Sequence, residues 1–180
     1  MSKVVMFLDV DGSILCDPEH ADNEATVNRK IVQQVTQRNV AGFHVPSTKT
    51  FEIETEIWWR NAVTEFFKEH HNDIQIIWLT GWKHNAPLLD DFFHASQTSV
   101  LEWEVTPDES GKKTALIKWL EENPVDFFIW VDDVATVGVD SSDFAIPNLI
   151  LTPDENVALN DSELNQLSEF IVKMKTVSIS

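Results

Sequence analysis

The stretch "VVMFLDVDGS", residues 4–13, decides the fold because it joins an apolar strand to a pair of acidic residues. Its five consecutive apolar residues predict a strand that is covered on both faces, as in the centre of a parallel sheet. Asp9 and Asp11 follow this strand, and Gly12 comes directly after them. Because two carboxylates so close in the chain repel each other, we expect a positive charge between them.

Strand-like and helix-like segments alternate along the chain. Short apolar runs predict five strands, at residues 3–9, 74–79, 98–103, 127–131 and 147–151. Helical patterns are found at residues 25–38, 55–70, 86–95 and 110–120, and after Asn160. Asn160 and Glu163 have the spacing of a capping box at the start of the last helix. This alternation predicts an α/β fold with a doubly wound, mostly parallel sheet.

Length and composition indicate a single domain over residues 1–180. The 180 residues are 43% hydrophobic, which is enough for a sizeable core. No apolar run is long enough to span a membrane, no signal peptide is evident, and the single cysteine cannot form an internal disulfide. We therefore expect a cytoplasmic protein. With no histidine near it in the sequence, Cys16 is interpreted as a buried bystander rather than a nucleophile.

The net charge of -17 limits the partners of the protein. So much negative charge repels anionic membranes and nucleic acid, and it excludes a broad basic DNA-binding face. Solubility alone explains most of this acidity. An anionic substrate is still compatible with it, provided that a cation and a few local donors receive the substrate.

Polar side chains follow three of the predicted strands. Asp9 and Asp11 end the first strand, Thr80-Gly81 ends the strand "IQIIWL", and Asp132-Asp133 ends the strand "FFIWV". In an open parallel sheet, ligands bind beyond the carboxyl ends of the strands. We therefore expect these hydroxyl and carboxylate groups to meet at one edge of the sheet.

The stretch "SGKKTALIKWL", residues 110–120, places Lys112 and Lys113 in the first turn of a helix. A lysine there opposes the helix dipole, so its position does not stabilise the helix. At about 100° per residue, Lys112 lies near the middle of the buried side and Lys113 lies at its margin. Lys112 is therefore the favoured partner of the acidic cluster, although the sequence alone leaves Lys113 open.

Taken in order, "DVDG", "LTG", "GKK" and "VDD" resemble the four motifs of the haloacid dehalogenase (HAD) superfamily of phosphotransferases. The sequence also resembles the small HAD domains found in RNA-repair proteins. A calcium loop is the alternative interpretation of "DVDG", but an EF-hand needs Gly and Glu where this chain has Ile14 and His20. Asp11 itself favours phosphoryl transfer, because members that cleave carbon–halogen bonds usually lack this aspartate.

The resemblance implies a role for each motif in phosphoryl transfer. Asp9 would be the nucleophile that becomes an aspartyl phosphate, and Asp11 would be the general acid and then the base. Mg²⁺ would bind the Asp9 carboxylate, the Asp11 backbone carbonyl and an acid of the fourth motif, Asp132 or Asp133.

The remaining motif residues would contact the phosphate or the substrate. Thr80 and the backbone amides near Gly81 would hold phosphate oxygens, and Lys112 would neutralise negative charge on Asp9 and the transferring group. Trp82 and Lys113 are further candidates for substrate contact, although packing is the favoured role for Trp82.

The expected activity is that of a Mg²⁺-dependent phosphatase, a phosphoric monoester hydrolase. Two alternatives remain open: a phosphotransferase acting on a nucleotide or nucleic-acid end, and a catalytically idle acidic domain that binds a basic partner. The expected substrate is a phosphorylated small molecule or the phosphate end of a larger one, because the net charge argues against long nucleic acid. Residues 13–53, with one helix and a hairpin around Pro46, are expected to form a small flap over a poorly covered site.

The two lysines give a direct test of the helix geometry. We expect Lys112→Ala to lower kcat about tenfold or more, equivalent to about 1.4 kcal/mol, because it removes a donor from a partly dry site. Lys113→Ala should stay within a few-fold of the unmodified protein. Both variants are to be compared on one substrate, with circular dichroism as the folding control. A larger loss of kcat in Lys113→Ala would show that the inferred start of the helix is off by one residue.

Overall fold

A five-stranded parallel sheet forms the centre of the protein in the computed structural model, which describes residues 4–17, 27–40, 47–95, 98–104 and 110–177. The strands in chain order are β1 (Val4–Leu8), β2 (Val27–Val40), β3 (Ser47–Arg60), β4 (Ile74–Trp78), β5 (Thr98–Val100), β6 (Phe128–Val131) and β7 (Asn148–Leu151). The helices are α1 (Asn61–His70), α2 (Ser110–Glu122) and α3 (Asp161–Val177), with 3₁₀ helices at Lys83–Leu89 and Ser141–Asp143. The order in the sheet is β5-β4-β1-β6-β7.

Strand β1 lies in the middle of the sheet and is buried on both faces. Val4, Met6 and Leu8 belong to an apolar cluster that includes residues of α1 and α3. Phe7 points to the opposite face, where its ring lies 5.2 Å from that of Trp119 in α2. The fold is therefore α/β and doubly wound, as predicted, and all five predicted strands of this sheet are confirmed.

The register of the sheet brings the polar strand ends to one level. Leu8 pairs with Trp78 of β4 on one side and with Val131 of β6 on the other. The residues that follow continue the same pattern, since Asp9 N–H donates to the Val131 carbonyl at 3.0 Å. Asp9 and the residues after β4 and β6 therefore emerge side by side at the carboxyl edge.

The chain between β1 and α1 contains a long antiparallel hairpin of β2 and β3. The helix predicted at residues 25–38 is wrong, and the helix predicted at 55–70 begins only at Asn61. Apolar residues at Ile31 and Val35 have helical spacing, but β-branched side chains favour strands when a partner strand is present. The predicted hairpin turn around Pro46 lies outside the described residues.

The hairpin is anchored to the segment that follows β4. Val35 N–H donates to Asn85 Oδ1 at 2.9 Å, and Asn85 Nδ2 donates to the Val35 carbonyl at 3.0 Å. His84 Nε2 also contacts this carbonyl, at 2.8 Å. Nearer its base the hairpin packs through Trp59, whose ring stacks on Phe92 at 5.7 Å. These contacts attach the hairpin, at its middle and near its base, to the segment that follows β4.

The predicted helix at residues 86–95 is replaced by the 3₁₀ helix Lys83–Leu89 and the turns that follow it. Pro87 lies inside this segment and cannot donate the backbone hydrogen bond of an α-helix. The capping box of α3 is confirmed, because Asn160 N donates to Glu163 Oε2 at 2.8 Å and Glu163 N donates to Asn160 Oδ1 at 3.1 Å. No helix among the described residues has the length and apolar character needed to cross a bilayer.

Candidate active site

Three carboxylates converge at the carboxyl ends of β1 and β6. Asp9, Asp132 and Asp133 each present one oxygen, and these three oxygens lie within 4.8 Å of one another. Asp9 is 7% exposed and Asp132 is fully buried. Because buried like charges repel strongly, the cluster requires positive charge nearby.

Lys112 supplies one positive charge to this cluster. Its Nζ lies 2.6 Å from Asp9 Oδ2 and 2.7 Å from Asp132 Oδ2, and its side chain is buried. Burial lowers the pKa of Lys112, but the charges of Asp9 and Asp132 outweigh this effect and leave the pKa raised. The amine therefore stays protonated. The Trp103 ring packs against it, with its centroid 5.5 Å from Nζ.

Lys113 points away from the cluster. Its Nζ lies 2.9 Å from Asp143 Oδ2, and both side chains are more than a third exposed. Of the two lysines in the first turn of α2, the structure thus brings Lys112 and not Lys113 to the acidic cluster.

Asp132 also organises the loop after β6. Its Oδ1 accepts hydrogen bonds from Val134 N at 3.1 Å and Ala135 N at 2.6 Å. Its backbone carbonyl accepts a hydrogen bond from the buried hydroxyl of Thr136. Burial and the charge of Asp9 raise the pKa of Asp132. Asp132 therefore connects Lys112 to the turn that follows β6.

Gly12 allows Asp133 to approach the end of β1. Gly12 has φ +67, and a Cβ added there would lie 2.3 Å from Asp133 Oδ2. A larger residue would therefore displace the carboxylate. Burial, followed by the charges of Asp9 and Asp132, raises the pKa of Asp133 to about 6.

Asp11 is not one of the three carboxylates of this cluster. Its side chain is exposed, and its Oδ2 accepts a hydrogen bond from Trp82 Nε1 at 2.9 Å. Asp9 and Asp11 are two residues apart in the chain, yet their carboxylates have different partners. The hydrogen bond from Trp82 to Asp11 and the ion pair of Lys112 with Asp9 help to offset the repulsion within the acidic motif after β1.

Thr80 lies at the end of β4, beside β1, and is buried. Its Oγ1 accepts a hydrogen bond from Trp82 N at 3.2 Å, so the hydroxyl proton is available for donation to a ligand. Gly81 is exposed, and a Cβ placed there would meet no atom within 4 Å. The threonine and the open backbone beside it are compatible with binding an anion at this edge.

The family model for the HAD domain in Swiss Army Knife RNA repair proteins matches residues 5–164. The chain belongs to this family. No curated protein and no solved structure gives a significant match to the chain. The matched range contains all four motifs, and family membership indicates a domain of the phosphatase or phosphotransferase kind.

A cleft of about 320 Å³ opens next to Asp11 and Gly12 in this HAD domain. It is also lined by Trp58 and Trp82, and by Cys16. Burial raises the pKa of the Cys16 thiol, which keeps it protonated and agrees with its interpretation as a bystander. The cleft gives the carboxylate of Asp11 room to meet a ligand group.

Sequence analysis missed two contributors to the site of the HAD domain. Sequence analysis assigns no role in the site to Gly12, whereas its missing side chain makes room for Asp133. Trp103 was not singled out, because the predicted strand at residues 98–103 includes it. In the structure β5 ends at Val100, so Trp103 follows the strand and reaches the site at the carboxyl edge.

The raised pKa of Asp133 predicts a cost in stability that depends on pH. The pKa of an unfolded aspartate is near 3.8, whereas burial and the neighbouring carboxylates raise the pKa of folded Asp133 to about 6. The metal-free folded state therefore loses stability as pH rises through this window. At pH 7.5 with chelator, we expect Asp133→Asn to increase the free energy of unfolding by about 1–3 kcal/mol.

This gain should shrink as the pH of the urea denaturation is lowered towards the unfolded pKa. Asp143→Asn is the matched control, because Asp143 is exposed and its hydrogen bond with Lys113 lowers its pKa. The control should show no gain. If Asp133→Asn were no more stable than the unmodified protein at pH 7.5, the description of the cluster would be wrong.

Proposed function

We propose that this HAD domain is a Mg²⁺-dependent phosphatase that hydrolyses a phosphomonoester through an aspartyl phosphate on Asp9. The observation that carries the proposal is the position of Asp9 at the end of the central strand, with the ammonium group of Lys112 2.6 Å from its Oδ2. A carboxylate held in this way is available as a nucleophile, and a preorganised positive charge lies where negative charge develops.

In the first step, a carboxylate oxygen of Asp9 forms a bond to phosphorus while the bond from phosphorus to the leaving oxygen breaks. Asp9 is fixed for this attack because its Oδ1 also accepts the Val10 N–H at 2.7 Å. Asp11, which lines the cleft, protonates the leaving oxygen. Asp11 then takes a proton from water, whose oxygen bonds to phosphorus as the Asp9 bond breaks.

Two further groups act on the phosphoryl oxygens. Thr80 can donate its hydroxyl proton to one of them, since its own oxygen already accepts the Trp82 N–H. Lys112 stays protonated and offsets negative charge on Asp9 and on the phosphoryl group. Lys113 has no part in the proposed reaction, because its amine is paired with Asp143.

The residues present fit a divalent cation. Three carboxylates with oxygens within 4.8 Å of one another are held beside a single buried lysine. Burial, and after it the negative charges of Asp9 and Asp132, which Lys112 does not fully offset, raise the pKa of Asp133. Hard carboxylate oxygens suit Mg²⁺, with Asp9, Asp132 and Asp133 as side-chain ligands and the Asp11 carbonyl as the backbone ligand. When bound, Mg²⁺ would neutralise charge on the phosphoryl group.

The substrate class follows from the family and from the charge of the chain. The family is named for RNA repair, which favours the phosphorylated end of an RNA over an unrelated metabolite. The net charge of -17 disfavours contact with a long stretch of phosphates. We therefore propose that only the end of the chain enters the cleft, and that a small phosphomonoester can replace it.

Phosphate release is the measurement that tests this proposal. The unmodified protein should release phosphate from 4-nitrophenyl phosphate and from a short oligoribonucleotide with a terminal phosphate, and chelator should stop both reactions. Asp9→Asn should reduce release to background, because an amide does not attack phosphorus. Asp143→Asn is the matched control and should keep its activity. Full activity in Asp9→Asn would remove Asp9 from the mechanism, and inactivity of the unmodified protein would favour a binding domain.

A further inference from the structure

We propose that Trp82 is a positioning residue that holds the carboxyl group of Asp11 for proton transfer to the leaving group. This inference rests on the proposed function, since it assigns a part in the same reaction. Sequence analysis placed Trp82 only as a packing residue or a surface for substrate stacking.

Trp82 joins the ends of the two strands that supply the acid and the hydroxyl. Its indole Nε1 donates to Asp11 Oδ2 at 2.9 Å, and its backbone N donates to Thr80 Oγ1 at 3.2 Å. A single residue therefore contacts both the proposed acid and the hydroxyl that is proposed to bind a phosphoryl oxygen.

Burial makes Trp82 a firm support for an exposed side chain. Trp82 is 7% exposed and belongs to the same apolar cluster as Leu15 and Ala86. Asp11 is exposed, so its short side chain would otherwise rotate among staggered conformers. A hydrogen bond from a buried donor selects one of these conformers and directs the carboxyl group towards the cleft.

The chemistry of the indole suits this role. An indole N–H can only donate, so it never competes with the leaving oxygen for the proton of Asp11. With Oδ2 engaged as an acceptor, the transferable proton resides on Oδ1. That proton passes to the leaving oxygen as the Asp9–phosphorus bond forms, and Oδ1 takes a proton from the attacking water in the second step. The same hydrogen bond from the indole holds the Asp11 carboxyl group when it acts as the acid in the first step and as the base in the second.

Substrate stacking fits the structure less well. Trp82 is buried, so it offers little surface to a base or an aryl group, although it is among the residues that line the cleft. Positioning of Asp11 and stacking on the substrate predict opposite effects for substrates with different leaving groups. An alkoxide needs protonation as it leaves, whereas 4-nitrophenolate leaves without it and presents a ring for stacking.

The test is Trp82→Phe, which keeps an aromatic ring and removes the N–H donor. We expect kcat/KM for ethyl phosphate to fall about tenfold or more, while kcat/KM for 4-nitrophenyl phosphate stays within about threefold. This quantity is chosen because it covers the step in which the leaving group departs. Asp11→Asn should also lower kcat/KM for ethyl phosphate more than kcat/KM for 4-nitrophenyl phosphate.

Trp59→Phe is the matched control. Trp59 is as buried as Trp82, and its indole donates to Thr64 Oγ1 at 2.8 Å rather than to Asp11. The control should leave the ratio of the kcat/KM values for the two phosphates unchanged. If Trp82→Phe folds poorly, benzothienylalanine at position 82 keeps the bicyclic ring and replaces only the N–H by sulfur.

The outcomes separate the possible roles of Trp82. An equal loss on both phosphates would indicate a structural role alone and would overturn the inference. A larger loss on the aryl phosphate would indicate stacking and would also overturn it. If the unmodified protein hydrolysed neither phosphate in the presence of Mg²⁺, the proposed function would fail, and the inference with it.

Discussion

The buried ammonium group of Lys112, shared between Asp9 and Asp132, is the interaction on which the site depends. Removing one member of such a buried group leaves uncompensated charge, which is strongly destabilising. The interaction requires β1 and β6 to lie side by side and α2 to begin close to the sheet edge. Gly111 permits this start, because a Cβ there would lie 1.8 Å from the Glu104 carbonyl oxygen. The sheet order and the beginning of α2 are therefore linked by one set of ion pairs.

Around this interaction, two nearby carboxylates acquire different environments. Asp9 is buried against Lys112, whereas Asp11 is exposed to the cleft and bonded to an indole. A nucleophile benefits from a fixed position and a nearby positive charge, and an acid needs access to the leaving group. The turn at Gly12 separates the two environments within three residues and also makes room for Asp133. The short acidic motif can thus supply two distinct functions in the proposed reaction.

Much of the central sheet could be predicted because its inner strands, β1, β4 and β6, are short, mostly apolar and largely buried on both faces. The position of Lys112 followed from helical geometry, since the buried side of α2 is marked by local residues such as Leu116 and Trp119. A hairpin around Pro46 was expected, but the length of its strands could not be predicted, because Ile31 and Val35 in β2 also fit a helix. The alternation of apolar residues from Phe51 and Ile53 to Ile57 was the signal that β3 continues past residue 55. The contact between Trp82 and Asp11 spans 71 residues and depends on side-chain conformation, so no local pattern reports it.

The central claim is that phosphoryl transfer passes through Asp9, and chemical trapping of the intermediate tests it most directly. Borohydride reduces an acyl phosphate to an alcohol, so an aspartyl phosphate captured by acid quenching during turnover becomes homoserine. Peptide mass spectrometry of protein quenched with Mg²⁺ and 4-nitrophenyl phosphate should then find homoserine at position 9, and none without substrate. Reduction at a different acidic residue, or turnover with no reduced residue at position 9, would contradict the account.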